Sequence, residues 1–400
     1  MPGDSGRLER IAAVLRSTGL DALVCTLPSN VLLLSGYWPV VGTAVCVVTH
    51  TGLSALVVPE DERDLAARGW ASEVRTYQPG SLHNLSGPAE AVRAPLRALL
   101  DSLDISGGHL GFEAGNAYEE ASYAAMYLYQ ASIRDVLKAA APGAAPVSGA
   151  GAIAALRSWM TVAEVERVHL ACDVAGAAFD AAARHLRPGM REPEVAAAFA
   201  SPMTVNGLRQ PGVERAGAFT WCMSGENSAL AGAAYARTRN RELRSGDFVL
   251  VHCNSYIDGY WTDMTRTYCL GEPDERQRAM YDAVFAARKA ALTAIRPGTP
   301  AADVDRAARE VLAGRGFGQY FTHGLGHNVG FSAISAEFPP RLHPASPDRL
   351  EVGMTFNVEP AIYIAGFGGL RHCDVVTVRE NGPDVLTPFQ AAIDQLIMRG

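Results

Sequence analysis

The second half of this 400-residue chain contains pairs of similar segments at nearly constant spacing. The pairs are Arg-Pro-Gly at 187–189 and 296–298, "SGDFVLVHC" (245–253) and "VGMTFNVEP" (352–360), and "GYWTDMTRT" (259–267) and "GGLRHCDVV" (368–376). Their offsets are 109 residues, 107 residues and, with Gly259 aligned to Gly369, 110 residues, and both Arg-Pro-Gly segments lie within long amphipathic helical patterns. Three near-equal offsets indicate two similar halves, each built of helices and buried strands.

The repeat predicts which side chains meet in space. If the halves pack about a pseudo-twofold axis, equivalent strands lie beside that axis and their side chains converge on one pocket. In this alignment His252 matches Glu359, and Asp263 matches Cys373. Strand alternation places Arg371 on the same face as Cys373. Buried histidines and carboxylates require partners, which favours a shared pocket over scattered core residues that only reflect ancestry.

A glycine-rich segment, "THGLGHNVG" (322–330), lies between the last helical pattern and the strand that ends near Glu359. Such a loop can deliver His323 and His327 to the same pocket. A single histidine in a glycine-rich loop is more often a hydrogen-bonded turn residue. The neighbouring candidates favour His327 as a fifth ligand.

Composition and charge exclude several classes of protein. The formal charge is −7 and no run of Lys or Arg is present, which argues against nucleic acid as a partner. No apolar run approaches the roughly 18 residues of a membrane helix, and the first ten residues lack a signal core, so we expect a cytosolic protein. Seven cysteines without C-x-x-C spacing indicate reduced thiols.

The chain length favours more than one domain. Residues 1–140 alternate helical patterns with short β-branched runs, which predicts a first α/β domain. The Pro-, Gly- and Ala-rich stretch at 141–154 predicts a linker, and residues 155–400 form a second domain that contains the repeat.

These motifs resemble the pita-bread (M24) family, which includes aminopeptidase P, prolidase, methionine aminopeptidase and the metal-free creatinase. The segments "GYWTDMTRT", "HGLGHNVG", "GMTFNVEPAIYI" and "GGLRHCDVV" carry the resemblance in the second half. "RLERIAAVLRSTGLDALVCTLPSNVLLLSGYWP" is similar to the creatinase-type N-terminal domain. The resemblance implies a creatinase-type α/β domain followed by a pita-bread domain, and an enzyme that hydrolyses C–N bonds.

The resemblance also implies a homodimer. "GYWPVVG" (36–42) is similar to the segment by which creatinase and prolidase reach a neighbouring subunit's site, which makes Trp38 a candidate substrate contact. Tyr260 is a second candidate, near the expected pocket mouth. An aromatic residue beside a strand is, however, more often part of the core.

The pocket departs from the family pattern at two metal ligands. Family peptidases hold two divalent ions with Asp, Asp, His, Glu and Glu, and the aligned residues here are His252, Asp263, His327, Glu359 and Cys373. The first Asp has become His252, and the Glu that bridges both ions has become Cys373. In addition, Gly232 stands eight residues after Ser224, where peptidases have a substrate-orienting histidine and creatinase has its general acid/base. These changes argue against ordinary peptide cleavage and against creatinase-like chemistry.

One interpretation of this altered pocket is a site for a single metal ion. A thiol is shorter and softer than a bridging carboxylate, which disfavours a pair of Mn²⁺ ions. Imidazole and thiolate suit a Zn²⁺-like ion. Its ligands would be Asp263, His327, Glu359 and Cys373, with His252 as a further candidate. Such an ion lowers the pKa of bound water to about 7. Glu359 or His323 would then move protons.

A second interpretation needs no metal. His252 and Cys373 would form an imidazolium–thiolate pair, and the thiolate would attack an amide, amidine or imine carbon. Glu359 or Asp263 would orient the base.

In the metal-free interpretation, Arg371 binds a substrate carboxylate and His323 donates to a developing oxyanion. The structural alternative for Arg371 is an ion pair with Asp374 or Asp263. A third interpretation is a catalytically inactive binding protein. The preferred prediction is a hydrolase that cleaves a C–N bond in a small, carboxylate-bearing molecule or a short peptide.

Overall fold

The computed structural model describes residues 5–83, 85–114, 124–233, 235–335 and 337–399. The chain divides into two compact units, Met1–Arg157 and Ser158–Gly400.

The first unit is built around a mixed sheet. Its helices and strands are α1 (Ser5–Thr18), β1 (Ala22–Cys25), α2 (Pro28–Ser35), β2 (Val41–Gly42), β3 (Val45–Thr49), β4 (Ser54–Pro59), α3 (Arg63–Ala66), β5 (Glu73–Tyr77), α4 (Pro88–Ser102), β6 (His109–Phe112), β7 (Ala124–Ala125), α5 (Ala131–Ala140), β8 (Ala145–Ser148) and α6 (Ala150–Arg157). The described residues form a six-stranded sheet in the order β5-β4-β3-β1-β6-β8, in which β3 is antiparallel to β1 and β4, and the other pairs are parallel.

Helices α4 and α5 cover one face of this sheet. Val92, Leu96 and Leu99 recur at helical spacing on α4 and are fully buried against β-branched residues of β1, β3 and β4. Ile133 and Leu137 of α5 join the same cluster. Burial of these alternating apolar side chains explains why the short runs of the first half form strands.

The predicted linker at 141–154 is regular structure instead. It contains β8 and the start of α6, and the boundary between the two units falls after Arg157. Parallel pairing of β8 with β6 satisfies the backbone groups of this Pro- and Gly-rich stretch. The Pro, Gly and Ala residues that are typical of a linker lie here in and around β8, which is an edge strand of the sheet.

The second unit contains the repeat. Its helices and strands are α7 (Val162–Ala183), α8 (Glu192–Leu208), β9 (Ala216–Ser224), β10 (Phe248–Ile257), β11 (Tyr260–Trp261), β12 (Met264–Leu270), α9 (Glu275–Ala294), α10 (Ala301–Gly314), β13 (Thr355–Val358), β14 (Ala361–Ile364), β15 (Gly368–Arg371), β16 (Asp374–Arg379), β17 (Gly382–Val385) and β18 (Ile397–Met398). Short 3-10 helices cover 225–232, 318–320 and 393–395.

Each half begins with a pair of helices joined by the repeated Arg-Pro-Gly segment. The expectation that this segment lies within a continuous helix is wrong, because it forms the turn between α7 and α8 and between α9 and α10. Gly189 and Gly298 adopt φ values of 90° and 84°, which favour glycine and end the helical path. The turns therefore strengthen the evidence that the halves are equivalent.

The strands of the two halves meet at the ends that carry the candidate residues. In the first half β10 pairs antiparallel with β9 and β12, and in the second β13 pairs antiparallel with β16. An isolated bridge joins Thr265 of β12 to Cys373, where the Cys373 N–H donates to the Thr265 carbonyl at 3.0 Å. Asp263 and Glu359 lie directly beside strand ends. This arrangement brings the matched positions of the repeat to one place.

No helix among the described residues is both long enough and apolar enough to span a bilayer. All seven cysteines are buried and carry free thiols.

Candidate active site

A cavity of about 460 Å³ opens at the meeting point of the two halves. Its wall includes His252, Asp263, His323, His327, Glu359 and Arg371, together with apolar and small residues such as Ala231, Gly232 and Ile334. The structure thus brings together in one cavity six of the side chains selected from the sequence.

Three possible metal-binding side chains form the centre of this site. One carboxylate oxygen each of Asp263 and Glu359 and the sulfur of Cys373 lie within 4.8 Å of one another, and all three residues are buried. The repeat explains this proximity, because Asp263 and Cys373 each come directly before an equivalent strand, β12 and β16. The thiol of Cys373 contacts the backbone carbonyl of Asp263 at 3.2 Å.

His327 lies beside the same carboxylates. Its Nε2 is 3.2 Å from Asp263 Oδ2 and 4.0 Å from Glu359 Oε1. Its Nδ1 is 3.1 Å from the carbonyl oxygen of Asn328, which can only accept, so Nδ1 carries a proton in either charge state of the ring. Nε2 has a lone pair when the ring is neutral and donates to Asp263 Oδ2 when the ring is protonated. Asn357 holds the group in place by donating to Asp263 Oδ2 and His327 Nε2, each at 3.1 Å.

Electrostatics favour a cation at this position. Burial lowers the pKa of His327, but the hydrogen bond to Asp263 and the charges of Asp263 and Glu359 outweigh it and raise the pKa above the usual value. Burial alone would raise the pKa of Asp263, whereas His252, His327 and Arg371 together hold it below the usual value. The carboxylates that attract a proton to His327 would also attract a metal ion.

His252 projects from the middle of β10 and is enclosed by aromatic rings. Its ring stacks on Trp221 at 5.5 Å and meets Tyr235 edge-on at 5.2 Å. Nδ1 is 3.1 Å from the Thr265 hydroxyl and 3.5 Å from Asp263 Oδ1. Burial lowers the pKa of His252 to about 3, so the ring is neutral.

Cys373 is also uncharged here. Burial, followed by the charges of Asp263 and Glu359, raises the pKa of the Cys373 thiol well above its usual value. The predicted imidazolium–thiolate pair requires a raised pKa for His252 and a lowered pKa for Cys373. Both pKa values move in the opposite direction, because burial outweighs the favourable charge of Asp263 on His252, and burial with the charges of Asp263 and Glu359 outweighs that of Arg371 on Cys373. These pKa directions argue against the pair.

Arg371 is buried at the cavity wall and held by three oxygens. Its Nε donates to the Thr265 hydroxyl at 3.0 Å, and Nη1 lies 3.5 Å from the Tyr363 hydroxyl and 3.8 Å from Glu359 Oε2. Nη2 is buried and makes no hydrogen bond to any described residue. One donor of the guanidinium is thus left for another group.

The alternative pairing of Arg371 with Asp374 is not formed. Asp374 is fully buried and pairs with Arg266 at 2.9 Å and with Arg288. Arg266 also donates to the carbonyl of Cys373 at 2.7 Å, which fixes the backbone on the far side of the site. The charge of Asp374 is satisfied there, which leaves Arg371 to the cavity.

His323 contacts the cavity through Tyr363. Its Nδ1 donates to the carbonyl of Gly324 at 2.8 Å, so Nε2 accepts from the Tyr363 hydroxyl at 3.1 Å. The role predicted for His323, donation to an oxyanion, is therefore not supported, since both ring nitrogens are already engaged. A Cβ atom added at Gly232 would come within 2.8 Å of the Tyr363 ring, so this ring occupies the space beside Gly232.

Two predicted substrate contacts lie elsewhere. Tyr260 is not brought to the cavity wall, because it is buried in β11 with its ring against Phe331 at 5.9 Å. The core alternative fits Tyr260 better. Trp38 is buried within the first unit. Its contact with a neighbouring subunit's site stays a prediction.

Comparison with known proteins gives this site a family. The sequence model of metallopeptidase family M24 matches residues 166–380, which is more than half of the chain. The model of the Creatinase/Prolidase N-terminal domain matches residues 7–159. This chain belongs to metallopeptidase family M24. It is a hydrolase of C–N bonds, and its two-part α/β fold is the predicted one.

Two relatives of this M24 hydrolase are named Xaa-Pro dipeptidase, and a prolidase has a similar structure. A Xaa-Pro dipeptidase from Pyrococcus furiosus is 36% identical over 232 residues, which cover 58% of this chain and 64% of that protein. A Xaa-Pro dipeptidase from Pyrococcus horikoshii is 28% identical over 385 residues, covering 95% of this chain and 96% of that protein. The crystal structure of the prolidase from Pyrococcus horikoshii matches with a TM-score of 0.76 at 26% identity and covers 97% of this chain and 100% of that one.

The donor set of this M24 chain fits a metal ion. Asp263, Glu359 and Cys373 each offer one ligand atom, and these atoms lie within 4.8 Å of one another, while His327 Nε2 lies 3.2 Å from Asp263 and 4.0 Å from Glu359. Carboxylate, imidazole and thiolate are ligand types found at metal sites in proteins.

Several residues that contact the candidate site residues are not predicted by the sequence patterns. They are Thr265, Asn357, Tyr363, Arg266 and Trp221. Four of them follow a detectable signal, since Thr265 and Arg266 lie within the repeated "GYWTDMTRT", Asn357 and Tyr363 within "GMTFNVEPAIYI". Trp221 has no comparable signal, because its importance comes only from pairing opposite His252 on β9.

Proposed function

We propose that this chain hydrolyses a C–N bond, an amide, amidine or peptide bond, in a small substrate that bears a carboxylate, using at most one metal ion. The observation that supports this proposal is the meeting of ligand atoms of Asp263, Glu359 and the fully buried Cys373 within 4.8 Å of one another, beside a cavity of about 460 Å³ whose wall includes Asp263, Glu359 and Arg371. Cavities of roughly 300–1,000 Å³ are typical of small-ligand sites.

Arg371 is the proposed anchor for the substrate carboxylate. Its Nη2 is buried without an acceptor in the part of the chain that the structure describes, although the charge of Arg371 is partly balanced by Glu359 at 3.8 Å. A carboxylate oxygen would satisfy this donor and add a charge-assisted hydrogen bond. The anchor would hold the scissile bond close to the carboxylate cluster.

The metal-binding residues in this proposal are Asp263, His327, Glu359 and Cys373. An ion held there would supply Lewis acidity that polarises a carbonyl group and makes water more acidic. Glu359 is the proposed proton acceptor, because its carboxylate lies at the cavity wall between His327 and Arg371. Asn357 holds Asp263 and His327 in register.

Two finer assignments remain within this proposal. The relatives are Xaa-Pro dipeptidases, so dipeptides with a C-terminal proline are the alternative substrate class. Family resemblance supports a homodimer in which Trp38 reaches the partner's site. Light scattering of the purified chain and the activity of Trp38→Ala test that assembly, and a monomer with full activity would remove it.

The direct test uses the full chain purified without added metal. Elemental analysis should find no more than one divalent ion per chain. A panel of Xaa-Pro dipeptides, N-acyl amino acids and cyclic amidines that bear a carboxylate, each with its carboxamide counterpart, should show hydrolysis only of the free acids. Arg371→Lys keeps the charge and serves as the control for Arg371→Ala.

Three results of this test would redirect the proposal. Two tightly bound ions and cleavage of proline dipeptides would indicate a standard Xaa-Pro peptidase. Turnover that survives chelation with no ion bound would favour metal-free chemistry. Binding of the free acids without turnover under any metal condition would indicate an inactive binding protein and overturn the proposal.

A further inference from the structure

His252 differs from His323 and His327, two further histidines of the cavity wall, in what its ring nitrogens contact. It occupies the position at which the family pattern has a metal-binding aspartate. The ring is held from both sides, since Trp221 stacks on one face and Tyr235 meets it edge-on. Burial on β10 leaves the side chain 2% exposed. The orientation of the two nitrogens is therefore set by the protein.

A chain of hydrogen bonds determines which nitrogen carries the proton. Arg371 Nε, which can only donate, contacts the Thr265 hydroxyl at 3.0 Å. The hydroxyl has one proton of its own, and His252 Nδ1 at 3.1 Å is the acceptor it meets among the described residues. Nδ1 therefore accepts this proton and holds none. A neutral imidazole with an unprotonated Nδ1 has its proton on Nε2.

His327 shows the opposite pattern. Its Nδ1–H donates to the carbonyl of Asn328 at 3.1 Å, so when the ring is neutral the lone pair of Nε2 faces Asp263 at 3.2 Å. This is the arrangement by which proteins prepare a histidine as a metal ligand. In His252 the lone pair is occupied by Thr265 and the nitrogen that is left carries a proton. The lone pair of His327 also accepts from the Asn357 amide at 3.1 Å, but Nε2 lies within 4.0 Å of both Asp263 and Glu359, so an ion held by these carboxylates would take the place of the amide hydrogen. The carboxylate beside His252 is that of Asp263, on the side of Nδ1.

We infer that His252 is a hydrogen-bond donor to the substrate, through Nε2–H, and is not a ligand of the metal ion. Nε2 is buried and meets no acceptor in hydrogen-bond geometry among the described residues, although the Asn254 side chain is near enough to raise the pKa of His252. His252 also forms part of the cavity wall. A buried donor without an acceptor is costly, and an oxygen atom of the substrate would satisfy it. This inference rests on the proposed function for the identity of that oxygen.

The oxygen that best fits is the carbonyl oxygen of the scissile bond. The substrate carboxylate is already assigned to Arg371 Nη2, the other unsatisfied donor of the cavity, which leaves the carbonyl oxygen for His252. A carbonyl oxygen carries only partial charge in the bound substrate and gains charge as the bond is attacked. A donor in this place would therefore act most strongly in the transition state.

Two measurements test the proton position and the metal without any substrate. In the full chain labelled with ¹⁵N-histidine, long-range proton–nitrogen spectra should show His252 protonated on Nε2, with its signals identified by their loss in His252→Gln. Elemental analysis should find the same ion content in His252→Gln as in the wild type, whereas His327→Gln should lose the ion. A proton on Nδ1 of His252, or loss of the ion from His252→Gln alone, would overturn the inference.

Kinetics then test the contact with substrate. His252→Ala should lower kcat by about 10²-fold with a smaller change in KM, as expected for a donor to a developing oxyanion. His252→Gln, which keeps an N–H donor, should recover part of the rate. Equal rates for the wild type and His252→Ala would sink the assignment. Failure to find any substrate would count against the proposed function alone, because the spectra and ion content stand apart from turnover.

Thr265 is the positioning residue in this arrangement. Thr265→Val removes the hydroxyl and should move the His252 proton toward Nδ1 in the ¹⁵N spectra, whereas Thr265→Ser should keep the wild-type pattern. A Thr265→Val spectrum identical to that of the wild type would show that the hydroxyl does not set the proton position.

Discussion

Two buried carboxylates of the second unit, Glu192 and Asp263, have opposite surroundings. Glu192 is fully buried at the start of α8, and its two oxygens accept from the Ser224 N–H at 2.7 Å, the Asn227 amide at 2.9 Å and the Arg239 N–H at 2.7 Å. These donors fix the segment that begins at Ser224 and leads to the cavity. Every acceptor of this carboxylate is used within the protein.

Asp263 is as deeply buried as Glu192, but its carboxylate uses only part of its hydrogen-bonding capacity within the protein. Its Oδ1 makes no hydrogen bond to a described residue, and the same holds for His252 Nε2 and Arg371 Nη2 in the same cavity. Orphaned polar groups cost about 1–3 kcal/mol each, so a cluster of them indicates a site completed by a ligand. Burial of a carboxylate does not by itself identify a functional residue, whereas unused hydrogen-bonding capacity beside a cavity does.

The largest expected effect concerns the cavity carboxylate. Asp263→Asn should abolish ion binding and lower kcat/KM by roughly 10²- to 10³-fold, since an ion supplies several kcal/mol of charge stabilisation. The free energy of unfolding should change less than in Glu192→Ala, because only Oδ2 of Asp263 is hydrogen-bonded in the free protein and asparagine keeps one acceptor oxygen. Kinetics, elemental analysis and urea unfolding measure the three quantities. A large loss of stability would erase the contrast with Glu192.

Glu192 should behave in the opposite way. Glu192→Ala leaves at least three buried donors without an acceptor, so the free energy of unfolding should fall by about 3 kcal/mol or more. Any protein that still folds should keep its bound ion. Glu192→Gln preserves one oxygen and should lose less stability. If urea unfolding shows Glu192→Ala within 1 kcal/mol of the wild type, satisfied hydrogen bonds do not mark a structural carboxylate here.

A third test converts the cavity toward the family pattern. The double substitution His252→Asp and Cys373→Glu restores the two altered ligands, so the number of Mn²⁺ ions that remain after desalting should rise from at most one to two per chain. Elemental analysis provides the count. Each single substitution serves as a control and should hold no second ion. An unchanged count in the double variant would mean that other parts of the cavity prevent the pair.

The smallest effect concerns a third carboxylate, that of Asp348, whose partner Arg341 lines the cavity. Asp348 pairs with Arg341 at 2.8 Å, and the hydrogen bonds from Arg341 hold the pKa of Asp348 below its usual value. A lowered pKa means that the folded state favours the charged form. The stabilisation is therefore present above the unfolded pKa, near 3.9, and is lost as the pH falls through the lower folded pKa.

Asp348→Asn should accordingly cost about 0.5 kcal/mol at pH 7, as is typical of a partly exposed ion pair. The difference from the wild type should shrink as the pH falls below 3.9, where the wild-type carboxyl becomes protonated. Urea unfolding of both proteins at pH 7 and pH 3 measures it. A difference that is larger at pH 3 would show that the ion pair is not the source of the effect.

Much of the fold and of the pocket's membership was predictable from the repeat. Equal offsets between matched strands determine which residues stand at equivalent strand ends, and the structure places the ligand atoms of Asp263, Glu359 and Cys373 together. The Arg-Pro-Gly segments were interpreted as parts of helices, although Pro and Gly end both helices. Tyr260 was assigned to the cavity because sequence proximity does not reveal that its ring packs against Phe331.

The sequence by itself determined the family, the duplicated architecture and the set of polar side chains that meet, because these depend on strand register, which a repeat preserves over more than a hundred residues. Only the tertiary structure decided what each histidine can do. That depends on whether a hydroxyl, a carbonyl or a carboxylate lies about 3 Å from each ring nitrogen. The partners are Thr265 for His252, Asn328 for His327 and Tyr363 for His323. Side-chain packing determines these contacts to within a few tenths of an ångström, and residue spacing along the chain does not predict them.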